Sequence, residues 1–111
     1  MSKLLLSGMS ASLGKVRGKV RIIDNPNETN FNRGDILVTE MTNPRFTPLI
    51  EKAGAIVTDI GGLLCHAAIM SREFGIPCIV NTKTATTKLK NGQIVEVDAD
   101  KGKIYEAETN R

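Results

Sequence analysis

One glycine-bounded segment near the middle of the chain constrains the fold more than any other feature. An apolar run at Ala55–Thr58 precedes the pair Gly61-Gly62, and a helix-like pattern covers residues 65–74. Gly75 is a typical helix stop, and a second apolar run follows at Cys78–Val80. Short apolar runs on either side of a helix are typical of buried strands. The segment therefore predicts the order strand, glycine turn, helix and strand.

The rest of the chain adds strands and only short helices. Alternating polar and apolar residues at 15–23 and 93–98 predict half-exposed strands, and residues 103–105 a hairpin partner. Residues 36–39 read as a buried strand, and residues 82–90 contain at most a short helical turn. Thr47 before Pro48 predicts the N-cap of a short helix that ends at Gly54. Together these patterns predict a single α/β domain, rich in β-structure, over residues 1–111.

Composition excludes several classes of function. The chain has no Trp, one Tyr and three Phe, too few rings for a single-stranded nucleic-acid platform. Its net charge of +3 is dispersed, so no DNA-binding face is expected. No apolar run is long enough to span a membrane, and the apolar start is too short for a secretory signal. Two cysteines do not make a disulfide framework, so we expect a cytoplasmic protein with reduced thiols.

His66, the only histidine, falls at the start of the predicted helix. The N-terminus of a helix carries partial positive charge, and with the unobstructed backbone of Gly61 and Gly62 it forms an anion site. The same positive end disfavours the imidazolium form, so the ring is expected to be neutral at about pH 7 and nucleophilic. Attack on phosphorus would give a phosphohistidine that the helix end stabilises. The pattern therefore indicates phosphoryl transfer.

Other interpretations compete with this one. A lone histidine is often structural or simply exposed. A metal site would use Cys65, His66 and Cys78, but their spacing does not fit a zinc finger and no fourth ligand is evident, so no metal is predicted. Cys65 beside His66 could serve a hydrolase or another thiol enzyme, although adjacent helical residues point in different directions and make a poor dyad.

Residues 61–80 closely resemble the phosphohistidine signature of the enzymes that use phosphoenolpyruvate (PEP), which include phosphoenolpyruvate synthase, pyruvate phosphate dikinase and enzyme I of the sugar phosphotransferase system. The family pattern reads roughly T-[DN]-x-G-G-x-T-[SC]-H-A-A-I-x-[AS]-R-E-x-G-I-P, and Cys65 matches the synthase form. Residues 8–18, 34–38, 53–59 and 91–105 resemble other parts of the same domain. The resemblance implies the mobile, swivelling β/β/α phosphohistidine domain of these enzymes.

By this resemblance His66 is the residue that is transiently phosphorylated. Gly61 and Gly62 would shape the phosphate pocket. Thr47 resembles a family threonine near the phosphohistidine, and the resemblance also places Thr58, Cys65 and Arg72 at the phosphate site.

The resemblance further implies that the domain carries phosphate between a nucleotide-binding partner and a PEP- or pyruvate-binding partner. The chain has no room for either, so it would be a phosphotransferase component that cannot turn over alone, as a separate subunit or as part of a larger enzyme. No cofactor is expected in this chain, and Mg, ATP and PEP are expected on the partners. Leu64, Leu63 and Ile60 stand where the family often has polar residues, so a non-catalytic interaction or regulatory module with the same fold is the alternative.

Overall fold

A computed structural model describes residues 3–28 and 30–107 of the chain; the predicted domain bounds, residues 1 and 111, lie outside these ranges. Eight strands lie within these ranges: β1 (Lys3–Ser7), β2 (Met9–Ser12), β3 (Lys15–Ile22), β4 (Ile36–Thr39), β5 (Ala55–Thr58), β6 (Cys78–Val80), β7 (Ile94–Asp98) and β8 (Lys103–Glu106). The helices are α1 (Thr47–Ile50), α2 (His66–Phe74) and α3 (Ala85–Lys88), and a 3-10 turn, Pro44–Phe46, precedes α1.

The strands follow the order β1-β8-β7-β3-β4-β5-β6-β2. Strand β3 belongs to both halves of this sheet, because Lys15–Lys19 pair antiparallel with β7 and Val20–Ile22 pair parallel with β4. Strands β4, β5 and β6 continue in parallel, whereas β1 and β2 pair antiparallel with β8 and β6. The predicted β-rich α/β fold is confirmed.

Two apolar clusters divide the molecule into a β/β/α arrangement. Side chains on one face of β4 and β5, including Ile36, Val38 and Val57, pack with β7 and β8 residues such as Val95 and Ile104. The opposite face of the same strands packs against α1 and α2 through a second cluster that includes Leu37, Ile50, Ile56, Ala67 and Ala68. Strands covered on both faces need continuous apolar runs, and β4, β5 and β6 are buried along their whole length.

The cap of the first helix was predicted wrongly. Asn43, not Thr47, caps the helical segment: its side chain accepts from the Arg45 amide, and Thr47 lies inside the helix. On α2, burial does not follow side-chain polarity: Ser71 is fully buried, whereas Ile69 is 49% exposed and Phe74 41%. The small side chains of α2 let its backbone lie close to the sheet, and Ser71 satisfies its hydroxyl by donating to the Ala68 carbonyl at 2.9 Å.

The parallel strands determine where the loops meet. Thr39, the last residue of β4, pairs with Thr58, the last residue of β5. Backbone hydrogen bonds continue past the strands, with the Asp59 amide donating to Thr39 and the Ile60 amide to Glu40. The loops after β4 and β5 therefore lie side by side at the carboxyl edge of the sheet, the usual place for a ligand site in parallel sheets. Within the described ranges, no helix is long and apolar enough to cross a membrane.

Candidate functional site

His66 is the first residue of α2, as the sequence predicted. Cys65 occupies the N-cap position in an extended conformation and makes no side-chain capping bond, while its amide donates to the Gly62 carbonyl at 3.1 Å. The first intrahelical bond at this end runs from Ile69 back to Cys65. The amides of the first turn therefore lack intrahelical acceptors and remain available to an anion. Gly75 ends the helix in the left-handed conformation, with φ 70°.

The His66 ring is held by Thr42, a residue that the sequence interpretation missed. The Thr42 hydroxyl lies 2.7 Å from Nδ1 of the imidazole, and Thr42 itself is buried. Thr42 belongs to the loop after β4, which runs beside the loop after β5. The hydrogen bond occupies Nδ1, and among the described residues no hydrogen-bond partner of Nε2 is found. Nε2 is therefore the ring nitrogen left for chemistry.

A cavity of about 220 Å³ opens beside the ring. Its walls are mostly apolar, and they include a single imidazole and a single thiol as titratable groups; the lining residues are Met41, Thr42, Thr58, Ile60, Gly61, Cys65, His66 and Ala67. Burial lowers the pKa of His66 from its ordinary value of 6.5, because desolvation disfavours the charged imidazolium. The arrangement keeps a neutral ring at the edge of an apolar cavity.

The two glycines before the helix differ in their surroundings. Gly61 has φ +130°, and a Cβ built there would lie 2.9 Å from Cys65 Sγ. A side chain at Gly61 would therefore be strained by the backbone and would collide with Cys65. A Cβ at Gly62 would have no atom within 4 Å, and the φ of Gly62 is not positive, so nothing in its packing demands glycine. The loop shape depends on Gly61.

The other predicted site residues divide into two groups. Thr58 and Cys65 line the cavity with His66, and the Thr58 hydroxyl donates to the Ile60 carbonyl at 2.7 Å. Thr47 and Arg72 lie outside the cavity lining. Thr47 donates to the Pro44 carbonyl at 2.8 Å, so Thr42 takes the place beside the ring that was expected for Thr47.

The thiols lie in different environments. Cys78 is fully buried, and burial raises its pKa to about 12, while Cys65 is partly exposed. No hydrogen bond between Cys65 and the His66 ring is found among the described residues. The same part of the chain contains no group of three or more His, Cys, Asp or Glu residues that could hold a metal.

Comparison with known proteins places this chain in a family. The sequence profile of the "PEP-utilising enzyme, mobile domain" family matches residues 31–102. A probable phosphoenolpyruvate synthase from Archaeoglobus fulgidus is 52% identical over 105 residues, which cover 94% of this chain. The chain spans only 14% of that relative's length.

Solved structures agree on the fold. A solution structure of enzyme I has a TM-score of 0.61 at 26% identity, covering 77% of this chain and 35% of that chain. Aconitase X from Thermococcus kodakaraensis shares the fold at 22% identity, with a TM-score of 0.70 and coverage of 93% and 98%. Sequence profile, relative and enzyme I structure agree, and the chain belongs to the family of PEP-utilising enzyme mobile domains.

Proposed function

We propose that the chain is a phosphoryl carrier in which Nε2 of His66 is transiently phosphorylated. The observation that supports this most directly is the Thr42–His66 pair: a 2.7 Å hydrogen bond occupies Nδ1 and leaves Nε2 beside the cavity. For Nε2 to carry the lone pair, the ring proton must be on Nδ1, where it is donated to the Thr42 hydroxyl oxygen. The Thr42 hydroxyl can accept as well as donate, so it is compatible with this tautomer and fixes the orientation of the ring.

The transfer step is a displacement at phosphorus. The Nε2 lone pair forms the N–P bond, and the bond from phosphorus to the donor's leaving oxygen breaks with its electron pair going to that oxygen. Because burial lowers the pKa of His66, the ring keeps its lone pair at pH values where an exposed histidine is already partly protonated. The return transfer reverses these bond changes on an acceptor.

The phosphoryl charge is met first by backbone groups. The amides of the first turn of α2 lack intrahelical acceptors, and the helix N-terminus favours negative charge. Gly61 lets the loop pass close to the site, while Thr58 and Cys65 line the cavity. Among the cavity-lining residues there is no Lys or Arg, so we infer that cationic groups reach the phosphate from a partner.

The absence of cations from the cavity lining indicates what the partners must supply. A nucleotide-binding partner and a PEP- or pyruvate-binding partner would load and unload His66, with Mg and ATP or PEP held there. The relative's name, phosphoenolpyruvate synthase, and the small share of its length that this chain matches support such an assignment. Exposed apolar side chains surround the site and suit transient docking: Met41 is 52% exposed, Ile60 46%, Leu63 50% and Leu64 85%.

The experiment is transfer in trans. The chain is incubated with ³²P-labelled PEP, Mg²⁺ and the Archaeoglobus synthase whose own matched segment has been deleted. We expect label on this chain that is labile in acid and stable in base, and none on His66→Ala. Equal labelling of His66→Ala, or no labelling of the wild-type chain, would contradict the carrier function.

A non-catalytic interaction module is the second candidate. The exposed apolar side chains around the site favour it, because such a surface can bind a partner without any phosphoryl transfer; they are Met41, Ile60, Leu63 and Leu64. Binding and labelling together distinguish the carrier from the non-catalytic module. A chain that binds the synthase but is phosphorylated neither by PEP nor by the small donor phosphoramidate is a docking module only. A chain labelled by phosphoramidate at His66 retains a competent nucleophile.

A further inference from the structure

Arg72 lies on α2, six residues after His66, and it makes two hydrogen bonds that its place in the motif does not explain. One guanidinium nitrogen, Nη1, donates to the Ala11 carbonyl at 2.8 Å, and the other, Nη2, donates to the Leu63 carbonyl at 2.7 Å. The two acceptors belong to different segments, the edge strand β2 and the glycine loop. A single side chain therefore joins the two segments.

Each of these carbonyls lacks a regular partner. In β2 the register passes from Ser10 opposite Ile79 to Ser12 opposite Cys78, so Ala11 is the extra residue of a β-bulge. A bulge leaves such a residue outside the ladder. Leu63 lies inside the turn that the Cys65 amide closes onto Gly62. Arg72 satisfies both carbonyls with one planar fork, which the single ammonium of a lysine does not reproduce.

The guanidinium and the imidazole lie in different cavities. Arg72, Ala11 and Leu63 line a groove of about 530 Å³ that shares no lining residue with the His66 cavity. The C=O of Leu63 and the N–H of Leu64 belong to one planar peptide, so fixing the Leu63 carbonyl also fixes the Leu64 amide. The loop then leads directly into Cys65 and His66.

We propose that Arg72 is a positioning residue: it holds the glycine loop to the β2 bulge and thereby fixes the start of α2, rather than contacting the phosphate. The inference rests on the proposed function only for its effect on phosphorylation. The loop anchor itself is a property of the unphosphorylated chain. It replaces the phosphate-binding role that the sequence motif suggests for Arg72.

Amide NMR of the unphosphorylated chain tests the anchor directly. In Arg72→Lys and Arg72→Gln we expect shifted resonances and lower order parameters at residues 61–65 and 10–12, because both variants lose the bridging fork. Arg33→Lys is the matched control, since the side chain of this exposed arginine has no hydrogen bond or ion pair among the described residues. We expect its loop resonances to match those of the wild type.

Phosphorylation by phosphoramidate tests the consequence for His66 without any partner. In this reaction Nε2 bonds to phosphorus and ammonia leaves, and the label is unambiguous because the chain has one histidine. We expect both Arg72 variants to be labelled roughly tenfold more slowly, which is about the rate change that the loss of one charged hydrogen bond produces. We also expect the ¹⁵N resonances of the His66 ring to shift in both variants. A purely structural effect elsewhere would leave those ring resonances in place.

Three results would overturn the proposal. Unchanged loop amides in Arg72→Lys would refute the anchor. Wild-type labelling by Arg72→Lys together with loss in Arg72→Gln would show that the charge acts on the phosphate. A loosened loop with unchanged labelling would refute the positioning role. Failure of the carrier function is a separate outcome. In that case the loop loosens in the Arg72 variants as expected, but the wild-type chain is not labelled by PEP in the presence of the synthase.

Discussion

Gly61→Ala should be the most damaging small change in the glycine loop. The backbone at Gly61 has φ +130°, a region that costs a non-glycine residue roughly 1–3 kcal/mol. The new Cβ would also lie 2.9 Å from Cys65 Sγ, and this atom is the end of a side chain that can rotate away at smaller cost. The backbone term therefore dominates, and we expect the free energy of unfolding to fall by about 1–3 kcal/mol.

Urea denaturation followed by circular dichroism measures this loss, and Gly62→Ala is the matched control. A Cβ at Gly62 meets nothing within 4 Å, and Gly62 has no positive φ. Alanine at position 62 lowers the conformational entropy of the unfolded chain, and this effect raises the free energy of unfolding by roughly 0.4–1 kcal/mol where the backbone is compatible. Gly61→Ala should therefore be the less stable of the two. The reasoning is refuted if the two variants unfold at the same urea concentration with the same slope, because the strain assigned to Gly61 would then be absent.

Three further predictions concern the ring and the thiols. Thr42→Val should slow phosphoramidate labelling of His66 by about 2–10-fold, the worth of one hydrogen bond, while Thr47→Val labels like the wild type. The His66 imidazole should titrate by NMR with a midpoint below 6.5, because burial lowers its pKa. Between that midpoint and pH 6.5 the unfolded chain binds more protons than the folded chain, so the free energy of unfolding should fall as the pH drops through this range. His66→Gln should remove this dependence. Iodoacetamide at neutral pH should modify the partly exposed Cys65 and spare Cys78, whose pKa burial raises to about 12, so equal rates would contradict the burial of Cys78.

The sequence predicts the central strands and α2 well because their signals are local and unambiguous. The runs at Ile36–Thr39, Ala55–Thr58 and Cys78–Val80 are apolar except for the threonine that ends each of the first two, as expected for strands covered on both faces, and Gly75 ends α2 where predicted. The strands β1 and β2 at the start of the chain were harder to predict, because they are short and flank a glycine. Their pairing with β8 and β6 depends on contacts far along the chain.

The partner of the histidine could not be read from the motif. Thr42 lies well before the glycine pair in sequence, and it reaches the ring only because β4 and β5 are parallel and end level with each other. One signal was available: the residues just after two adjacent parallel strands share an edge, so Thr42 after β4 was a better candidate than Thr47 within the following helix. Register had to be known before that rule could be applied.

These contacts explain why a short motif near residue 66 is not a self-contained site. The imidazole depends on Thr42 from the β4 loop, the loop shape on Gly61 after β5, and the loop anchor on the Ala11 bulge of β2 through Arg72. Each of these groups comes from a different part of the sheet. The sheet therefore holds the imidazole rigid within the domain. Because the cavity lining contains no Lys or Arg, the proposed carrier function requires a partner to supply the cations, and we expect that partner to dock over Leu63 and Leu64.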